Sequence, residues 1–251
     1  MPKQLLKLLM DNRGERKPLV AQVSDDEETL YIYDAIVSTA VEADWFGGVS
    51  AQELVPLIRQ SKSPKLALRI NSGGGDVFAA QAIAQAIRDF EGDVTVYVDG
   101  TCASAATVIA CAADKIVMAS GGLWMVHRVW TMAMGNTNDF LEMADLLDKA
   151  DGLIAQAYAA KTGANADAML GLMDAETWMT AEEALSAKFI DEVSPVIKAQ
   201  VNKWNLSAYA NAPEPKAEPT PEPKPTADEV SSERQQFLSR RTRIINAQAN
   251  H

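Results

Sequence analysis

Apolar and polar positions change period from block to block along residues 1 to 210, and each block predicts a short element. Thr29 to Tyr33 and Leu66 to Ile70 are rich in β-branched, aromatic or aliphatic side chains and predict strands, while Ser50 to Arg59 between them has helical spacing. Ser50 followed by Glu53 spells a capping box at the start of that helix. Val77 to Asp89 predicts a second helix, Val94 to Val98 a strand and Ala103 to Ala112 a helix of small residues. Lys115 to Met118 and Leu123 to Val126 predict two more strands. Strand, loop and helix therefore recur three times, the order of a layered α/β domain, with no fixed-period internal repeat. From Asp139 to Lys161, Phe140, Met143, Leu146, Leu147, Ala150, Leu153, Ile154 and Tyr158 fall on one helical face and predict a long amphipathic helix. Thr180 with Glu183 repeats the capping box for a last helix ahead of Phe189 to Val193.

The pattern stops after about residue 210. Six of the eleven prolines lie between Pro213 and Pro225, interleaved with Glu and Lys and without a large apolar side chain, so 211–230 predicts a disordered, extended linker. Residues 231–251 form a short basic peptide, with Arg234, Arg240, Arg241 and Arg243 against the single Glu233. Acids and bases balance over 211–251, so the whole net charge of -11 belongs to residues 1–210. An acidic domain disfavours a nucleic-acid partner, which is bound largely through Lys and Arg. The longest apolar run, Thr101 to Ala113, is 13 residues and falls short of the roughly 18 to 20 that cross a bilayer. Lys7 interrupts the N-terminal leucines and Asp11 follows them, which does not suit a signal peptide. The chain reads as cytosolic, with Cys102 and Cys111 as reduced thiols.

Scarcity narrows the chemistry. Two cysteines and two histidines, one of them the terminal His251, do not suit a His/Cys metal centre, so no metal and no cofactor are expected. His127, at the end of the apolar strand WMV, is the one imidazole placed to act as a base, or else it is a structural histidine at a strand end. The run Asn71-Ser72-Gly73-Gly74-Gly75-Asp76 follows a strand and precedes a helix, so its N–H groups suit an anion or oxyanion, or else it is simply a tight turn. Asp99 to Ala106 again joins a strand to a helix and offers Ser104 as a nucleophile or a helix cap, with Cys102 as a local competitor. Asp174 and Glu176 are the carboxylates that could orient His127, or else solvated loop charges.

The blocks NSGGGDV, DGTCASAATVIACAADKIVM, WMVH and ETWMTAEEALSAKFIDEV, in that order, resemble the ClpP-type serine peptidases, over roughly residues 15 to 195. With DWFGGVSAQEL from Asp44 to Leu54, the chain is most similar to their phage branch, the head maturation proteases. The resemblance implies a ClpP/crotonase-like α/β fold of repeated β-β-α units over a 1–200 peptidase domain. It implies Ser104 as nucleophile, His127 as general base, and Gly75 and Ala105 as the oxyanion N–H donors. The third position carries Glu176 where the family has Asp, which leaves Asp174 as the alternative; Gly73 stands where the family usually has Pro. It also implies a homo-oligomeric ring, a heptamer or double ring, with the 139–161 helix in subunit contacts. The expected substrates are phage capsid and scaffold proteins, cut without ATP in the host cytoplasm or inside the prohead. Three alternatives stay open: a crotonase-type thioester enzyme, the catalytic subunit of a chaperone-linked degradative protease, and a non-enzymatic capsid assembly protein.

Overall fold

The computed structural model describes residues 4–13, 19, 21–24, 26–131, 133–195 and 204–213. The chain divides into a compact unit Met1–Ala212 and a second unit Pro213–His251. Beyond residue 213, the linker and basic peptide expected from the sequence lie outside the described residues. In chain order the first unit runs α1 (Gln4–Asp11), β1 (Gln22–Val23), β2 (Glu27–Ile32), β3 (Ile36–Val37), α2 (Ala40–Phe46), β4 (Val49–Ser50) and α3 (Ala51–Gln60). It continues β5 (Lys65–Ser72), α4 (Val77–Arg88), β6 (Asp93–Ala103), α5 (Ala105–Ala110), β7 (Lys115–Ala119), β8 (Leu123–Val126) and α6 (Thr137–Thr162). It closes with α7 (Ala166–Asp174), β9 (Thr177–Thr180), α8 (Ala181–Ser186) and β10 (Glu192–Ser194), and a further packed segment at 204–212.

The main sheet runs β1-β2-β5-β6-β7-β10, parallel from β2 to β10 with β1 antiparallel at the edge. On β5 and the first half of β6 the buried Leu66, Leu68, Ile70, Val94, Val96 and Val98 alternate with half-buried or small side chains such as Arg69, Thr95 and Tyr97, so one face of the sheet carries the main core. Their side chains meet α4, α5 and α6 in one core, in which Leu68, Ile70, Val96, Ile83, Ile109 and Tyr158 are almost fully buried. Phe189 packs between Trp124 and Tyr158 within it, tilted to the first and edge-to-face with the second, with ring centroids 5.6 and 5.5 Å apart. A β-β-α succession occurs at β7-β8-α6; β5 leads directly into α4 and β6 into α5.

Two local expectations change. The Thr180–Glu183 capping box forms, but Ser50 makes no cap bond to the backbone; its hydroxyl donates to Glu53 Oε2 at 2.6 Å. The strand expected at 94–98 runs on to Ala103, and the helix expected from Ala103 starts at Ala105. The longer β6 serves two partners in turn. Its first half pairs with β5 and β7, while Thr101 to Ala103 leave β7 and pair with β8.

Candidate active site

Strand direction assembles the site. β8 lies parallel to the end of β6, with Ala103 opposite Met125, so both strands finish at one edge. β9 is antiparallel to β8, with Thr177 opposite Val126, so its first residue arrives at the same edge. Ser104 follows the end of β6, His127 follows the end of β8 and Glu176 precedes β9. Three residues separated by up to 72 positions in sequence therefore sit on neighbouring strand ends.

Ser104 makes the sharp bend between β6 and α5, with φ 54 and ψ -124, a backbone conformation unusual for a residue with a Cβ. Its neighbours fix it. The Ser104 N–H donates to Met125 O at 2.9 Å, and its carbonyl accepts from the Thr107 N–H at 2.9 Å and from Thr107 Oγ1 at 2.6 Å. Thr107 Oγ1 also shares a 2.6 Å hydrogen bond with the buried Tyr158 hydroxyl of α6. The bend lifts the side chain off the sheet, and Ser104 Oγ lies 2.7 Å from His127 Nε2. Cys102, two residues earlier, points into the core, where burial holds its thiol well above the ordinary range; it has no route to a substrate.

The glycine loop faces the same point. Ile36 N–H donates to Gly74 O and Asp76 N–H to Ile36 O, each at 2.9 Å, and the Gly74 N–H donates to Ser72 Oγ. That leaves the Gly75 N–H with no acceptor among the described residues, and the Ala105 N–H at the first turn of α5 is in the same position. Gly75 has φ 152, and a Cβ there would fall 2.0 Å from Ile36 O, so no other residue fits this turn. Gly75, Ser104, Ala105 and His127 together line one end of a cavity of about 230 Å³, whose walls are largely apolar: Phe78, Val129, Trp130 and Leu147 among them. Among the described residues no three His, Cys, Asp or Glu side chains are grouped as metal ligands.

The half-buried His127 ring is flanked edge-on by Tyr209 and Trp130, with centroids 5.3 and 6.4 Å away. Burial pushes its pKa down to about 4, while the nearby Glu176 carboxylate acts in the opposite sense, so the imidazole is neutral at neutral pH. Neither candidate carboxylate is hydrogen-bonded to the ring. Asp174 is turned away and pairs with Arg128, Nε to Oδ1 at 2.7 Å and Nη2 to Oδ2 at 3.2 Å. Glu176, held at φ 46, accepts from Trp178 Nε1 at 3.3 Å, from the Asn211 N–H at 2.6 Å and from the Ala210 N–H at 3.1 Å.

Three participants carry no distinguishing signal in the sequence. Tyr209 lies in a stretch without periodicity next to the proline run. Tyr158 is one apolar position of α6 among many. Arg128 also binds the buried Asp151 at 3.1 Å, which in turn accepts the Val129 N–H at 2.7 Å, and so anchors the turn after His127.

A family model described as Clp protease matches residues 22–196. The ATP-dependent Clp protease proteolytic subunit of Streptococcus gordonii is 28% identical over 190 residues, covering 70% of this chain and 94% of its own length. The subunit of the same name from Streptococcus pneumoniae is 28% identical over 186 residues, with the same coverage. Among solved structures, a point mutant of ClpP1 from Listeria monocytogenes matches with a TM-score of 0.54 and 24% identity, over 66% of this chain and 91% of that one, and has the same fold.

Proposed function

The chain belongs to the Clp protease family of serine-type peptidases, and from that premise we propose that Ser104, His127 and Glu176 cut peptide bonds by acyl transfer, with phage capsid and scaffold proteins as substrates. One observation carries the chemistry: a hydroxyl 2.7 Å from a neutral imidazole, beside two N–H groups with no acceptor among the described residues. His127 Nε2 takes the Ser104 proton as Oγ attacks the scissile carbonyl, and the Gly75 and Ala105 N–H groups receive the oxyanion. The imidazolium then gives its proton to the leaving amine, the C–N bond breaks, and water activated by His127 releases the acyl group from Oγ. Glu176 is the carboxylate that stabilises the imidazolium, because its charge already acts on His127 while Asp174 pairs with Arg128.

The capsid reading is supported by the Asp44 to Leu54 block, which spans the end of α2, β4 and the start of α3, and by the proline-rich tail with its basic end. As a tether, that tail would bring a capsid-binding peptide to an acidic protease domain. A ring assembly is supported by the exposed apolar side chains of α6, with Phe140, Leu141 and Leu153 each more than half exposed. The second reading, a degradative subunit working with an unfoldase, is favoured by the names of the curated relatives. Intact-mass analysis after coexpression with a phage major capsid protein separates the two. Defined capsid fragments with the wild type and none with Ser104→Ala support the maturation role. An uncut capsid protein, together with degradation of an unfolded protein only when an ATPase partner is added, supports the other.

A further inference from the structure

Two separate surfaces flank the Ser104–His127 pair. One is the apolar cavity beside Gly75 and Ala105, and no residue of 204–212 lines it. The other is formed by Leu8, Ala103, Met125 and Trp178, and it is covered by Trp204, Leu206, Ala208 and Tyr209. A peptide cut in its interior must extend to both sides of the scissile bond, so it needs both surfaces. One of them is filled by the protein's own chain.

The filling is specific in its chemistry. Tyr209 is buried, its ring stands edge-on to His127 at 5.3 Å and to Trp178 at 5.7 Å, and its hydroxyl donates to Gly73 O at 2.5 Å. The next two N–H groups, of Ala210 and Asn211, are donated to the Glu176 carboxylate, and Asn211 Nδ2 donates to Ala175 O at 2.9 Å. Trp204 Nε1 donates to Asn71 O at 3.2 Å, and its ring lies so close to Gly73 that an added Cβ would sit 3.0 Å from Cε3. The glycine that stands at 73 in place of the expected proline is thus the residue that admits Trp204. Asn12 Oδ1 also accepts the Asn205 N–H and Lys7 Nζ donates to Ser207 Oγ, so α1 holds the segment as well.

We infer that residues 204–212 are an autoinhibitory strap occupying, in cis, a peptide-binding site on this second flank, and that the site selects an aromatic side chain followed by two backbone N–H donors. The strap keeps the enzyme latent in two ways. It covers the path of the substrate, and it engages both oxygens of the carboxylate that His127 needs. A tethered segment holds such a site at high effective concentration and is displaced when the tail is pulled away or a matching substrate competes. The inference rests on the acyl-transfer reading above.

The test uses the full chain and a fluorophosphonate probe that reacts with an activated serine. Asn211→Pro removes one donor to Glu176 and leaves every catalytic side chain in place; Tyr209→Ala removes the anchor. Both variants should label at Ser104 faster than the wild type by about fivefold or more, the effect expected when roughly 1 kcal/mol of docking is lost. An acetylated peptide of residues 204–211, added to Tyr209→Ala, should slow labelling back towards the wild-type rate. Labelling of Ser104 at an unchanged or lower rate in Asn211→Pro, with the melting temperature of the folded domain retained, overturns the strap. No labelling of Ser104 in any form, the wild type included, overturns the acyl-transfer reading itself.

Discussion

The carboxylate of Glu176 is bonded to the backbone of Asn211 at 2.6 Å and not to the ring of His127, although the two side chains stand at adjacent strand ends. The site therefore holds a serine and a histidine in contact and an acid within electrostatic reach but engaged elsewhere.

Glu176 and Asp174 separate by substitution. Glu176→Gln removes the charge that stabilises the imidazolium and should lower kcat by about 10² to 10⁴ once the strap is displaced. Asp174→Asn breaks a solvent-exposed pair with Arg128, of a kind that is screened by water and contributes little, and should leave kcat within about twofold. Steady-state cleavage of a model peptide by the two variants, each combined with Asn211→Pro, checks the assignment.

Gly75→Ala tests the oxyanion donor. The added methyl would fall 2.0 Å from Ile36 O, so the loop must move and carry its N–H away from Ser104. The expected loss in turnover is about 10² to 10³, with the Ser104–His127 contact itself left intact. A circular dichroism melt beside the kinetic assay tells a displaced loop from an unfolded domain.

Thr107 links the nucleophile's bend to α6. Thr107→Val deletes a bond to the Ser104 carbonyl and leaves the buried Tyr158 hydroxyl without that partner, which should cost about 1–3 kcal/mol. Turnover should fall without being abolished, because Oγ and the imidazole remain. Urea denaturation and peptide cleavage give the two numbers. In Thr107→Val combined with Tyr158→Phe the effect on stability should be smaller than the sum of the single changes.

Burial of His127 makes stability depend on pH in a defined window. Its folded pKa is lowered to about 4 from an ordinary 6.5, so below 6.5 the unfolded chain takes up the proton first. This contribution to stability is fully present above pH 6.5, is lost as pH falls towards 4, and changes no further below that. His127→Gln should flatten that segment of the curve when stability is measured by denaturant titration between pH 4 and 7.

Much of this arrangement is written locally in the sequence. The strand WMV ending at His127, the apolar stripe of α6 and the Thr180–Glu183 cap announce themselves through periodicity and spacing. The Thr39–Glu42 capping box at α2 has the same spacing, but the helix it starts is only seven residues long and goes unpredicted. Ser50 and Glu53 show the limit of such signals: the spacing is right, but the serine hydroxyl binds the glutamate instead of the backbone. The end of β6 at Ala103 is not legible, because the small residues that suit a helix here serve a strand that changes partner from β7 to β8. Tyr209 and Trp204 are hidden for a different reason. Their stretch has no period of its own, and its order comes from Gly73, Glu176 and His127, all distant in sequence.

The central claim, that Ser104 is a nucleophile activated by His127, is tested most directly by mapping the residue modified by a fluorophosphonate. Peptide mass mapping should place the adduct on Ser104 in the wild type and in Cys102→Ser, and should find none in Ser104→Ala or His127→Ala. An adduct elsewhere in the wild type, or undiminished labelling of Ser104 in His127→Ala, would contradict the account.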